Sequence, residues 1–269
     1  MSRPACVSRK LILTLSTLLL VALVGPSCCG PNTLGIRSEV VRFRPPVEES
    51  FVFIAHKFQE KLCKEDICIT AEPQNIAGSG FSVATSGIYT WIVTAAHLCA
   101  PRESLASSEI LAVGLGGVGY RAVVQYVEKA IDTCFLTIEG ADIPPVKVAS
   151  RNVTRGERVI ALGAPLGIFD SEMILKFEGF YAGKTTEVVK PGEPAKKFPV
   201  LDGFTIPARP GSSGGPIFNV EGELVGMTIM AKPYFESFAL SPPQTIIRHL
   251  IKAVQDKASN LTLIQRQAH

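Results

Sequence analysis

The sequence has few histidines, little charge and no long apolar run, and each shortage narrows what the chain can be. Only 19% of its 269 residues are charged, against 46% hydrophobic, a balance that disfavours extended disorder and favours a packed core. The basic excess of a nucleic-acid surface is missing. Twenty-seven Lys and Arg stand against 24 Asp and Glu. Three of those cations (Arg3, Arg9, Lys10) lie in the first ten residues, which leaves 24 against 24 beyond residue 30. No nucleic-acid partner is expected. The longest apolar run, LILTLSTLLLVALVG at residues 11–25, holds 15 residues, short of the roughly 20 that a membrane-spanning helix needs. Zinc-type spacing is absent as well. Cys63 and Cys68 form C-x4-C with no His/Cys cluster to complete it, so neither metal nor other cofactor is expected.

The 15-residue run follows a basic stub and precedes the small residues PSCCG, the layout of a signal segment. Residues 1–29 therefore read as a signal peptide, or as a signal anchor that tethers the protein through residues 11–25, because Pro26 and the lack of A-x-A mark the cleavage site poorly. Under both readings the body is exported. Lipid on Cys28 or Cys29 is disfavoured, since VGPS is a poor processing site. Four cysteines remain in the body: Cys63, Cys68, Cys99 and Cys134. An even number in an exported chain suggests disulfides, with three pairings open.

Residues 30–50 are Pro-bearing and polar and read as a linker. In ESFVFIAHKFQEKL, Phe51, Ile54, Phe58 and Leu62 recur at helical spacing, which predicts a short N-terminal helix. Beyond it the period changes. Short β-rich runs such as GIYTWIVTAAH, ERVIALGAPLG and GELVGMTIMAK are separated by Gly, Pro or Ser, the pattern of an all-β barrel or sandwich. A C-terminal helix is expected in SPPQTIIRHLIKAVQDKA, with Ile246, Ile247, Leu250 and Val254 on one face and a tail over 259–269.

ARPGSSGGPIFN, residues 208–219, crowds two serines between glycines. A serine hydroxyl needs a base and an oxyanion site to act as a nucleophile. On a tight turn with positive φ at Gly211, the N–H groups of Gly211 and Ser213 point into one hole, while Ser212 points away. Ser213 is the candidate. Of four histidines, His56 and His249 fall on expected helices and His269 is terminal, and these read as structural or surface residues. His97 closes WIVTAAHLC where a β-run breaks. Asp132 stands in AIDTCFLTIE among alternating apolar residues; Asp142 sits in the loop GADIPP and is the weaker choice. Asn152 and Asn260 fit a glycosylation pattern that matters only in a host that glycosylates.

TAAH at His97, the Asp132 strand and GSSGG at Ser213, in the order His–Asp–Ser, resemble the trypsin-like serine proteases. GSGFSVATSGIYTWIVTAAH, RGERVIALGAPLG and the closing GELVGMTIM with its helix resemble the HtrA/Deg type, over roughly residues 75–254. The resemblance implies two packed six-stranded antiparallel β-barrels, one with the N-terminal helix over 51–145 and one with the C-terminal helix over 146–258. It also implies a serine endopeptidase acting on protein or peptide substrates. No PDZ-sized segment follows the last helix, so capture by a second module is not implied. Ser212 replaces the Asp of digestive relatives, so activation by a freed N-terminus is not supported. Pro207, Ile229 and Ala231 fall where the family builds its P1 pocket, and their lack of charge implies an uncharged, small or medium apolar P1 residue.

Cys99 and Cys134 each stand two residues past a triad member. If His97 and Asp132 meet, a Cys99–Cys134 bridge clamps them and Cys63–Cys68 closes a local turn; the alternative keeps Cys134 as a small buried apolar residue. Two rival readings are weaker. An α/β-hydrolase elbow would place its Asp and His after the serine, and a non-catalytic scaffold on this fold would usually lack a triad member.

Overall fold

The computed structural model describes residues 47–64, 67–100, 104–188, 196–232 and 235–267. The signal segment, most of the linker and the last two residues lie outside that range. Among the described residues no helix is long and apolar enough to cross a membrane.

Seven strands build the first sheet: β1 (Phe51–Lys64), β2 (Ile67–Thr70), β3 (Gln74–Ser86), β4 (Tyr89–Thr94), β5 (Leu105–Gly114), β6 (Gly119–Glu128) and β7 (Thr133–Glu139). Their order is β2-β1-β3-β4-β7-β6-β5, and β1 also pairs with β5. Six strands thus close into a barrel, which abolishes their free edges, and β2 hangs outside it as a hairpin partner of β1. The second sheet holds β8 (Arg158–Gly163), β9 (Leu175–Val188), β10 (Lys196–Phe204), β11 (Pro216–Asn219), β12 (Leu224–Met227), β13 (Met230–Lys232) and β14 (Phe235–Ser241). It runs β12-β11-β8-β9-β10-β14-β13. This is a half-barrel, not the second closed barrel expected. Its end strands β12 and β13 are one chain segment interrupted at Thr228 and Ile229, whose amides donate to Gly215 O and Leu240 O.

The expected N-terminal helix does not form. Residues 51–62 are strand, preceded by a 3-10 turn over Val47–Ser50 that takes the end of the expected linker. Phe51, Ile54 and Phe58 are buried as helical spacing would have them, but so are Val52 and His56. Val52, Ile54, His56 and Phe58 form a period of two. Partners on both sides, β3 and β5, let a strand satisfy its backbone where a lone amphipathic helix would not. Local propensity is overridden by sheet pairing.

The C-terminal helix α2 (Gln244–Gln267) outruns expectation by taking in most of the proposed tail. Its first amide, Gln244 N, donates to the buried Asp202 Oδ2 at 2.8 Å, and Tyr181 Oη donates to Oδ1 at 2.8 Å. Farther along, Gln255 Nε2 donates to Val83 O of β3 at 2.9 Å. One core cluster joins Phe81, Val83 and Trp91 of the first barrel to Leu162, Phe218 and Leu224 of the second sheet and to Ile247 and Ile251 of α2. Each large side chain buried there stabilises by about 1.5–3 kcal/mol, so the seam between the sheets is itself a core. The helix straps both sheets together, and the loops facing each other across the seam gain fixed positions.

Candidate active site

His97 and Asp132 meet because two buried strands deliver them to the same barrel end. β4 is apolar and pairs with β7, Thr94 opposite Cys134. Past Thr94 the chain turns into the four-residue helix α1 (Ala96–Cys99), and His97 is its second residue. On the facing strand, a 3-10 turn over Lys129–Ile131 ends in Asp132, held left-handed at φ 51°. A non-glycine residue rarely adopts that conformation, though Asp does so more readily than most. The Glu128 carboxylate anchors the turn by accepting from Ala130 N and Tyr126 Oη, and the tyrosine bond holds it below the usual carboxylate range.

The Asp132 carboxylate grips its partner twice. Oδ1 accepts from His97 N at 2.9 Å and Oδ2 from His97 Nδ1 at 2.8 Å. With the Nδ1 proton engaged, the neutral ring carries its lone pair on Nε2. Side-chain exposures of 47% and 25% leave the pair reachable. Beneath it Cys99 and Cys134 are disulfide-bonded, their Cα atoms 6.5 Å apart and both side chains buried. Cys63 and Cys68 are bonded across the β1–β2 ladder.

Ser213 comes from the other sheet, on the turn before β11. Its neighbours' amides are all engaged: Ser212 N with Arg209 O, Gly214 N with Thr228 O and Gly215 N with Ser212 O. Among the described residues, the amides of Gly211 and Ser213 donate to nothing. Two adjacent free donors next to a hydroxyl are what an oxyanion requires. Gly211 has φ 97°, and a Cβ there would lie 2.2 Å from Ala164 O; Gly214 has φ 83°, and a Cβ would lie 2.0 Å from Ser79 O. Neither position admits another residue.

Ser79 joins this turn to the first barrel, and the sequence reading missed it. Fully buried, it donates from N to Ser213 O at 2.8 Å and from Oγ to Gly211 O at 2.8 Å, accepts from Ala164 N at 3.0 Å, and its carbonyl accepts from Thr94 Oγ1. It fixes the carbonyls flanking both free amides. Its signal in the sequence was GSGF, a polar residue between glycines at the head of an apolar run.

Ser213 and His97 line one cavity of about 350 Å³, with Leu98, Pro210 and Gly211 between and beside them. No hydrogen bond links Ser213 Oγ to His97 among the described residues. Pro207 is exposed, Ile229 belongs to the core and Ala231 is half-buried in β13; none of the three lines this cavity.

His56, expected on a helix as a structural or surface residue, is a buried residue of β1. Its Nδ1 donates to Leu98 O at 2.7 Å and Ser108 Oγ donates to Nε2 at 2.8 Å, so it supports the helix that carries His97. Burial pushes its pKa below the ordinary value. The unfolded chain, titrating near pH 6.5, then binds more protons than the folded chain as pH falls below that value. Stability should drop through this window and level off once folded His56 is itself protonated. Urea unfolding at pH 7.5 and pH 5.5 measures this: the loss should shrink in His56→Asn, and equal losses in both proteins would refute it.

The family described as "Trypsin-like peptidase domain" matches residues 78–227, over half of the chain. A "Probable periplasmic serine endoprotease DegP-like" of Pseudomonas fluorescens is 32% identical over 151 residues, 56% of this chain and 28% of that protein. "Serine protease HTR4" of Bos taurus is 28% identical over 228 residues, 82% of this chain and 42% of that protein. The chain thus spans less than half the length of these curated relatives. Among solved structures, the active form of the Rv3671c protease from M. tuberculosis superposes with a TM-score of 0.53 at 19% identity, covering 74% of this chain and 80% of that one. The "HtrA-type protease AlgW with decapeptide" superposes at 0.58 with 13% identity, covering 78% and 66%. At these identities the superpositions speak for the fold.

Proposed function

Since this chain belongs to the trypsin-like peptidase family, we propose that it is a serine endopeptidase with His97, Asp132 and Ser213 as its catalytic residues. The observation that carries this reading is the double grip of Asp132 on His97, in one cavity with a serine whose own amide and that of Gly211 are free. Ser213 Oγ bonds to the scissile carbonyl carbon as His97 Nε2 takes its proton, and the carbonyl oxygen, now anionic, accepts from Gly211 N and Ser213 N. Collapse breaks the C–N bond, with the His97 proton passing to the departing amine. Water then repeats the sequence on the acyl-enzyme, and Asp132 keeps Nδ1 protonated throughout. Each amide donor contributes on the order of 3 kcal/mol to the barrier reduction.

An uncharged, small or medium apolar P1 residue rests on the family resemblance at Pro207, Ile229 and Ala231 alone, since none of the three lines the cavity of Ser213 and His97. The apolar N-terminal run, the paired cysteines and the periplasmic description of the DegP-like relatives support export. Labelling by a fluorophosphonate, mapped by mass spectrometry, tests the assignment. One adduct is expected, on Ser213 of the folded protein. No adduct, or an adduct on Ser212, would sink it.

A further inference from the structure

The catalytic cavity continues into the first barrel in a way the reaction does not require. Its remaining walls are Phe58, Gln74, Ile76 and Ala77, with Leu98 beside His97. Four of these five are apolar; Phe58 lies on β1, Gln74, Ile76 and Ala77 on β3, and Leu98 on α1 with the base. His97 must hand its proton to the departing nitrogen, so the chain that follows the cleaved bond passes over the imidazole and against these walls.

From the base of this cavity, Phe58 opposite Gln74, the β1–β2 hairpin projects beyond the barrel. Across its ladder Leu62 faces Ile69 and Lys64 faces Ile67, two steps apart and hence on one face. That face is bare: Leu62, Ile69 and Ile67 are 48%, 61% and 74% exposed. The Cys63–Cys68 bond staples this hairpin although both cysteines are themselves exposed, so it shields no core; its effect is to hold the arm rigid. Among the described residues β2 ends its sheet, with no strand paired on its outer edge beside the apolar face. A stiff apolar face at a sheet edge, separated from the catalytic cavity by the hydrogen-bonded pair Glu60 and Gln74, suits an extended peptide that adds as a strand.

Resting on the serine-peptidase reading, we propose that the cavity between Leu98 and Phe58 takes an apolar side chain just after the cleaved bond, and that the stapled hairpin binds the apolar residues following it. Substrates are then selected by what lies downstream of the cut.

Digestion of a reduced, alkylated protein mixture by the full-length enzyme, with every cut mapped, tests this. Leu, Ile, Val, Phe or Met should exceed Asp, Glu and Lys at the first downstream position by about 10-fold or more, as a desolvated apolar subsite requires. Ile76→Asp should remove that preference. Leu62→Ser/Ile67→Ser/Ile69→Ser alters only exposed positions; it should erase apolar enrichment at the later downstream positions while keeping the first-position preference. Cuts with flat downstream profiles, enrichment confined to the upstream side, or profiles unmoved by both variants would overturn the proposal while leaving the peptidase reading intact. Absence of any cutting would overturn that reading, and the proposal with it.

Discussion

Ser213→Ala should lose at least about 10⁴-fold in kcat while folding as the parent does. The first half of that expectation follows from chemistry: without Oγ there is no acyl-enzyme, and only the amide donors and substrate binding remain. A factor of 10⁴ corresponds to about 5.5 kcal/mol of barrier. The second half follows from the turn itself. Its geometry is set by Gly211, Gly214 and the backbone bonds of Ser212, Gly214 and Gly215, and by Ser79 on the flanking carbonyls. None of these bonds uses the Ser213 side chain. A matched circular dichroism spectrum and melting curve beside a lost steady-state rate on a denatured protein substrate would meet the expectation. Near-parental turnover would end the assignment.

Asp132→Asn should cost about 10⁴-fold in kcat as well, for a different reason. Asparagine tolerates the left-handed backbone at this position, and its amide oxygen can still accept from His97 N. Its NH₂ group would then face Nδ1. To accept from that donor the imidazole must move its own proton to Nε2, and the atom needed as a base becomes a donor. The geometry survives and the tautomer is wrong. A variant with intact fold and kcat within tenfold of the parent would show that the carboxylate serves only to anchor α1.

The proposed triad was legible as a candidate because catalysis ties residue types to local motifs. The break in a β-run at TAAH, the lone Asp among apolar alternation and the glycine-bracketed serine each carry their chemistry in a few neighbouring positions. The Cys99–Cys134 contact could be read from the same logic, since Thr94 opposite Cys134 follows once β4 and β7 pair. What the sequence hides is pairing at a distance. Phe51, Ile54 and Phe58 satisfy the helical period while Val52, Ile54, His56 and Phe58 satisfy the strand period. Only the presence of β3 and β5 on either side decides between them. Ser79 escaped notice for a similar reason. GSGF alone does not single out a serine whose partners lie 85 and 132 residues away. Whether His56 was structural or exposed stayed open in the sequence because its partner carbonyl at Leu98 is 42 residues distant. The break of the second sheet at Thr228 and Ile229 goes with a contact that strand propensity does not register, Gly214 N of the Ser213 turn donating to Thr228 O.

The claim underlying all of this is that one barrel's imidazole and carboxylate act as a unit with the other sheet's hydroxyl, and single-turnover rates of Ser213→Ala, Asp132→Asn and their double variant test it most directly. Parts of one machine fail together, so the double variant should be no slower than Ser213→Ala alone. Losses that multiply, with the double variant slower by the product of both factors, would mean that Asp132 contributes to a reaction in which Ser213 takes no part.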